Sequence, residues 1–101
     1  MKTIWKYEPQ LGRSTKVIKL DLPKQFQILE VQFNYPKYKI GRMAVDFWIG
    51  VNSEDETEER IFDCFDTGQE IPECEFGRTH VATINVPECA MVKHILLRNL
   101  S

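Results

Sequence analysis

The sequence has no uninterrupted apolar run of the roughly 18 residues that a membrane-spanning helix needs. Its first ten residues, MKTIWKYEPQ, lack both the apolar centre and the small-residue cleavage site of a secretory signal. These absences predict a cytoplasmic protein with no membrane contact. The length of 101 residues, with 43% apolar and 28% charged residues, predicts one soluble globular domain over residues 1–101.

Cysteine is scarce, and its three copies are irregularly spaced. Cys64, Cys74 and Cys89 form no CxxC pair, and an odd number cannot close completely into disulfides within one chain. Cys74 and His80, six residues apart, are the nearest pair of potential metal ligands, whereas zinc ligands usually come in pairs about two to four residues apart. The sequence therefore predicts reduced thiols, His80 and His94 in structural roles, and no metal or cofactor.

Glycine is also scarce, and its five copies are isolated, so the sequence contains no glycine-rich phosphate loop. It contains no GxSxG nucleophile elbow either. A pair such as Cys64 and His94 would act as nucleophile and base only if folding brought the two together. These gaps predict a protein without catalytic residues, which is not an enzyme.

One triplet, Asp66-Thr67-Gly68, follows apolar residues in the way that the catalytic carboxylate of an aspartic protease does. A protease of this size needs a second carboxylate from a dimer mate and an apolar-apolar-Gly segment downstream. The one glycine that follows is Gly77, and a charged and an aromatic residue precede it. The triplet is therefore interpreted as a turn in which Gly68 takes a positive φ.

Alternation of apolar and polar residues predicts β-strands along most of the chain. The pattern is strictest in residues 42–51, where one side is entirely apolar: Met43, Val45, Phe47, Ile49 and Val51. Residues 90–99 fit a strand better than a short helix. Turn-forming residues separate these segments from the other predicted strands, which are residues 3–8, 15–22, 26–33, 59–66 and 79–86. We expect an all-β fold, or a β-rich α+β fold, with about seven short, mostly antiparallel strands in a small sandwich or partly open barrel.

Charge is distributed unevenly along the chain. Residues 1–42 carry a net charge of +6 and residues 43–101 carry −8, which predicts either a two-faced particle or halves that folding interleaves. The acidic run in residues 53–59 is typical of a solvated hairpin tip and could also contact a basic patch. We predict partner binding by two groups of residues, which are Glu54, Asp55, Glu56, Glu58 and Glu59, and Lys37, Tyr38, Lys39 and Arg42.

Lysines and aromatic residues interleave in residues 2–7 and 34–42, which is also the pattern of single-strand nucleic-acid binding. The structural interpretation is that the rings belong to the core and that the lysines protect strand edges from pairing with other chains. A net charge of −2 weighs against nucleic acid, which therefore remains the weaker alternative as a partner.

The opening MKTIWKY resembles a family of short uncharacterised phage and prophage proteins that begin with nearly these residues. The resemblance spans most of the chain, and its further points are Leu22-Pro23, Ile28-Leu29, Val31-Gln32, Trp48, Arg60, Phe62, Thr67-Gly68, Ile71-Pro72 and His94. The sequence departs from the family in residues 34–42 and in the cysteine-containing residues 74–89. The family brings no known activity, cofactor or catalytic residue.

The resemblance implies a phage accessory protein that acts in the host cytoplasm. Small phage proteins without catalytic residues often bind a host protein, and defence effectors are frequent targets. The function expected from it is therefore non-enzymatic binding and inhibition or redirection of a host macromolecule, in its most specific form an anti-CRISPR or other anti-defence inhibitor. The alternatives are a virion or assembly accessory protein, with a homo-oligomer as one form of it, and a single-stranded nucleic-acid-binding module.

Overall fold

A computed structural model describes residues 1–39 and 43–100 of the chain. Seven strands, all paired antiparallel, form two sheets, and the described residues also include one short α-helix and one 3₁₀ turn. The elements are β1 (Lys2–Tyr7), β2 (Val17–Pro23), β3 (Phe26–Phe33), α1 (Tyr35–Lys39), β4 (Val45–Asn52), β5 (Thr57–Phe65), β6 (Arg78–Val86), the 3₁₀ turn Pro87–Cys89 and β7 (Met91–Arg98).

The two sheets pack face to face as a sandwich, which confirms the predicted fold class. One sheet has the strand order β1-β4-β3, and the other has the order β2-β5-β7-β6. The particle measures 40 × 34 × 16 Å, so it is only two sheets thick. No helix in the described part of the chain is long and apolar enough to cross a membrane.

The alternation in β4 fixes which side of its sheet faces the core. Val45, Phe47, Ile49 and Val51 are buried against the other sheet, as their predicted common side requires. The ring of Phe47 meets that of Phe62 from β5 edge to face, with centroids 5.4 Å apart. This aromatic contact joins the central strands of the two sheets.

The strand assignment of the last apolar segment is confirmed. Every second residue of β7 is buried and its neighbours are less so, and the buried residues are Met91, Lys93, Ile95 and Leu97. A period of two, rather than of 3.6, therefore governs this segment, and it pairs on both sides with β5 and β6.

Residues 34–41 were predicted to be a turn, and part of this segment is helical instead. Helix α1 begins after Asn34, whose side-chain oxygen accepts a hydrogen bond from the backbone N–H of Lys37 (3.1 Å). The side-chain amide of Asn34 in turn donates to both carboxylate oxygens of Asp46. Five residues are too few to produce a helical periodicity, so the sequence pattern gave no sign of this helix.

Candidate functional site

The acidic run forms the connection between β4 and β5, and we call residues 53–59 the acidic hairpin. Its tip is tied to the turn between β2 and β3. A side-chain oxygen of Asp55 accepts a hydrogen bond from the backbone N–H of Gln25 (3.1 Å), and the backbone N–H of Lys24 donates to the carbonyl of Glu56 (3.0 Å). The tip is therefore an ordered projection, because two backbone segments hold it from the side.

The carboxylates at this tip are directed into solvent. The side chains of Glu54 and Glu56 are 80% and 87% exposed. Glu56 lies 3.6 Å from the ammonium of Lys24, and Glu54 lies 3.3 Å from the amino group of Met1. Contacts this exposed contribute little stability, so both carboxylates stay available to a partner.

The two remaining acids of the hairpin lie within β5. Glu58 and Glu59 pair with Leu22 and Asp21 of β2, so they point to opposite sides of the sheet. Glu59 and Asp21 are both exposed and stand directly opposite each other, where like charges repel. The exposed carboxylates of Asp21, Glu54, Glu56 and Glu59 therefore give this end of the sandwich, which we call the acidic end, a negative field.

Three residues of the predicted basic group, Lys37, Tyr38 and Lys39, belong to α1, which precedes β4. Lys37 forms an ion pair with Glu8 (2.5 Å), and the ring of Tyr38 packs against Phe33, with centroids 5.5 Å apart. Lys39 is the last residue of α1, and Arg42 lies outside the described residues. Since the eight residues of β4 span about 25 Å, Lys37 and Tyr38 of α1 lie on a different surface from the acidic hairpin.

The Asp66-Thr67-Gly68 triplet forms a turn at the end of β5. Gly68 has a φ of 84°, as the interpreted turn requires. The carboxylate of Asp66 lies 2.9 Å from the ammonium of Lys93, whose side chain is buried and also donates to the carbonyl of Arg13 (2.7 Å). Asp66 is thus paired with a cation, whereas the dyad of an aspartic protease pairs two carboxylates.

His94 belongs to a hydrogen-bonded row on the outside of the four-stranded sheet. Its Nε2 lies 2.8 Å from the hydroxyl of Thr67, and its Nδ1 lies 3.1 Å from the hydroxyl of Thr83. The Thr83 hydroxyl is also 3.0 Å from the ring of His80. Both predicted histidines therefore have polar side-chain partners, as structural histidines do.

Cys64 and His94 do not form a nucleophile–base pair. Cys64 pairs with Ile95 on β7 and faces the core, whereas the neighbouring His94 points outward. Burial raises the pKa of the Cys64 thiol to about 11, although the charge of Lys93 partly offsets this effect. Within the described ranges, no three His, Cys, Asp or Glu side chains are arranged to hold a metal ion.

A buried ion cluster that the sequence analysis missed lies on the outer side of β5. Asp63 accepts hydrogen bonds from the Nε atoms of Arg78 (2.7 Å) and Arg98 (2.6 Å), and Arg98 adds a second bond from Nη2 (2.8 Å). The hydrogen bond from Arg98, followed by that from Arg78, lowers the pKa of Asp63, and burial opposes this shift. The sequence signal for this cluster was a charged residue, Asp63, between the apolar residues Phe62 and Cys64.

The outer side of the three-stranded sheet carries an apolar patch. Trp48 and Gly50 of β4 face outward, with Ile4 of β1 on one side and Leu29 of β3 on the other. Ile4 and Leu29 are 60% and 46% exposed, and no element of the described residues packs over them. We call this surface the Trp48 face.

Comparison with protein families matches residues 1–100 to one described as Domain of unknown function (DUF7352). No curated protein and no solved structure matches the chain significantly. Because the family match covers residues 1–100 of the 101, the chain belongs to the DUF7352 family.

Proposed function

We propose that this protein is a non-enzymatic binding protein that attaches its acidic end to a basic surface of a host protein and so blocks or redirects that protein. The observation that carries the proposal is the ordered acidic hairpin, whose tip carboxylates on Glu54 and Glu56 are held by backbone contacts and face solvent. A preorganised tip loses little conformational entropy when it binds. Its field also accelerates encounter with a basic partner.

The biological form that we propose is a phage accessory protein acting in the host cytoplasm, with an anti-CRISPR or other anti-defence inhibitor as its most specific version. The resemblance of the opening MKTIWKY to phage and prophage proteins supports this context. Nucleic-acid-guided effectors hold their nucleic acid in positively charged channels. An acidic projection is suited to such a channel because it offers carboxylates where the nucleic acid would place phosphates.

The test is affinity capture of the tagged protein from host lysate, followed by mass spectrometry and by a binding measurement with the captured protein. The variant Glu54→Lys with Glu56→Lys reverses the exposed tip and leaves Asp55 in place. The control variant, Glu70→Lys with Glu73→Lys, makes the same change in net charge at exposed positions on a different loop. We expect the tip variant to weaken binding about tenfold or more, because like charges across an interface cost several kcal/mol.

Binding should also weaken between about 50 and 200 mM salt, since exposed charges are screened over about 10 Å at these ionic strengths. Equal binding by the tip variant and the control variant would refute the acidic end as the contact. Capture of no specific host protein would refute the function itself. Salt-dependent binding of single-stranded DNA or RNA by the purified protein, lost on changing Trp5, would instead favour the nucleic-acid alternative.

A further inference from the structure

The outward-facing residues of the three-stranded sheet form four rows across its strands. From one end of β4 to the other, the row centres are Asp46, Trp48, Gly50 and Asn52. The β1 residues beside them are, in the same order, Glu8, Lys6, Ile4 and Lys2, and the β3 residues beside the first three centres are Gln32, Glu30 and Gln27. The first row is therefore acidic and the last is basic, with the apolar residues between them.

The two middle rows combine an aromatic ring with a hollow. Trp48 stands half-buried in one of them, and the ammonium of Lys6 lies over its ring, 5.6 Å from the centroid. Gly50 leaves a gap in the next row, where an added Cβ would lie 3.7 Å from the carbonyl of Gln27 and 3.8 Å from a methyl of Leu29. The gap is thus bounded by the backbone of Gln27 and the side chain of Leu29, and an aromatic ring can occupy it.

We propose that the protein forms a symmetric homodimer through its Trp48 face, in which Trp48 of each copy seats on Gly50 of the other. The two-fold axis lies between the facing sheets, perpendicular to the strands, and passes between the Trp48 and Gly50 rows. The interface is isologous, which means that both copies use the same surface, so each contact occurs twice. It also sets the acidic row of one copy against the basic row of the other.

Charge complementarity favours a second copy as the occupant of this face. In the dimer, Lys2 lies opposite Glu8 of the second copy, and Glu30 lies opposite Gln27 of the second copy. Lys2 forms no ion pair with any residue that the structure describes, whereas Glu8 already holds Lys6 and Lys37. The dimer therefore supplies a carboxylate to an unmatched lysine at each end of the interface.

The size of the face sets the expected affinity. Three strands about 4.8 Å apart and about 25 Å long present roughly 400 Å² per copy, and the relief of the side chains increases the buried area. The two faces together offer a flat area of about 800 Å², which is below the roughly 1,200 Å² of standard interfaces, so we expect a weak dimer with a dissociation constant in the upper micromolar range. The dimer leaves both acidic hairpins exposed at opposite ends of the particle, and its existence does not depend on the proposed function.

The test is sedimentation velocity of the purified full chain from about 1 to 300 µM. Wild-type protein should shift from monomer to dimer across this range, with a two-species fit and no larger species. Trp48→Glu should remain monomeric, and Lys2→Glu should weaken the dimer about tenfold. Lys19→Glu, which makes the same charge change at an exposed position on β2, should leave the dimer unchanged.

Gly50→Val separates dimerisation from folding. The space around Gly50 accepts a Cβ at ordinary contact distance, and a β-branched residue favours a strand, so the monomer should be at least as stable as wild type to urea. The dimer should be lost, because the side chain fills the hollow. A monomeric wild-type protein at 300 µM would overturn the proposal, as would a Gly50→Val variant that dimerises like wild type.

A cross-link checks the direction of the axis. Leu29 lies in the bulge between the two middle rows, so Leu29 of one copy faces Leu29 of the other near the two-fold axis. Leu29→Cys should give a covalent dimer with a short bis-maleimide, and wild type, which retains Cys74 and Cys89, should not. A dimer that Leu29→Cys fails to trap above the wild-type background would contradict this arrangement.

Discussion

Replacing Asp63 with asparagine tests whether the buried ion cluster stabilises the fold. The side chain of Asp63 is only 6% exposed, and its two oxygens accept three hydrogen bonds from Arg78 and Arg98. Asparagine keeps the shape but removes the charge and one acceptor. Two guanidinium groups then remain without a carboxylate beside the ring of Phe65, over which Arg78 lies at 5.4 Å.

The expected loss follows from the burial of the partners. Removing one member of a fully buried ion pair costs about 3–5 kcal/mol, because it leaves an uncompensated charge in the interior. Arg78 is 11% exposed, but Arg98 is 38% exposed and can turn toward water. We therefore expect the lower limit, about 3 kcal/mol of unfolding free energy, for Asp63→Asn at neutral pH.

Urea denaturation followed by circular dichroism measures this loss. With an m-value of about 1.5 kcal/mol/M, a loss of 3 kcal/mol lowers the midpoint by about 2 M. The matched control is Asp21→Asn, since Asp21 is exposed on the neighbouring strand opposite Glu59 and should change the midpoint little. A midpoint for Asp63→Asn that equals that of Asp21→Asn would refute the reasoning.

The pH dependence provides a second check with a defined sign. Because the arginines hold the pKa of Asp63 below its ordinary value of 3.8, the carboxylate contributes its full stabilisation above that value. The contribution shrinks as the pH falls from that value toward the lowered pKa of the folded state, and it is absent below that pKa. The difference between wild type and Asp63→Asn should therefore be constant from pH 7 to about pH 4.5 and shrink below it.

Two further predictions concern the core. Since the pKa of Cys64 is raised to about 11, its thiolate fraction at pH 8 is about 10⁻³. A disulfide reagent should therefore label Cys74 and Cys89 in the native protein and Cys64 only after denaturation. Rapid labelling of all three cysteines would contradict this expectation. Phe62→Ala should lower the free energy of unfolding, measured by urea denaturation, by about 3–5 kcal/mol, because it removes the contact with the facing sheet. The control Phe76→Ala, at an exposed position, should lower it by under about 1 kcal/mol. Equal losses would show that the core is misassigned.

Strands such as β2 and β7 could be predicted because buried and more exposed residues alternate along them, and the period-two pattern records that burial directly. The bounds of β3 agree with the expectation at both ends, and those of β6 differ by one residue. Sequence did not predict the burial of Asp63 on the outer side of β5. That burial depends on Arg78 and Arg98, which come from two other strands, and local periodicity contains no information about such pairing.

The positions of the predicted partner-binding residues follow from one strand. The acidic hairpin begins where β4 ends, and α1, which contains Lys37 and Tyr38, precedes the start of β4. The two therefore had to lie about one strand length apart. What sequence could not supply was the local pairing. Lys37 is neutralised by Glu8, a residue 29 positions away, whereas the ion pairs of the hairpin tip with described residues are those with Lys24 and the amino group of Met1.

The acidic excess of the second part of the chain remains exposed after folding at the tip of the acidic hairpin, and also at Glu70, Glu73 and Glu75. Each sheet combines strands from the basic first part of the sequence with strands from the acidic remainder, since β1 and β3 flank β4 and β2 pairs with β5. Most of the opposite charge is therefore interleaved. For the sheets themselves, this favours the interpretation that folding mixes the two halves over that of a two-faced particle. The tip of the acidic hairpin, residues 53–56, escapes this cancellation because it lies beyond the paired strands, and for the same reason a basic partner can reach its carboxylates.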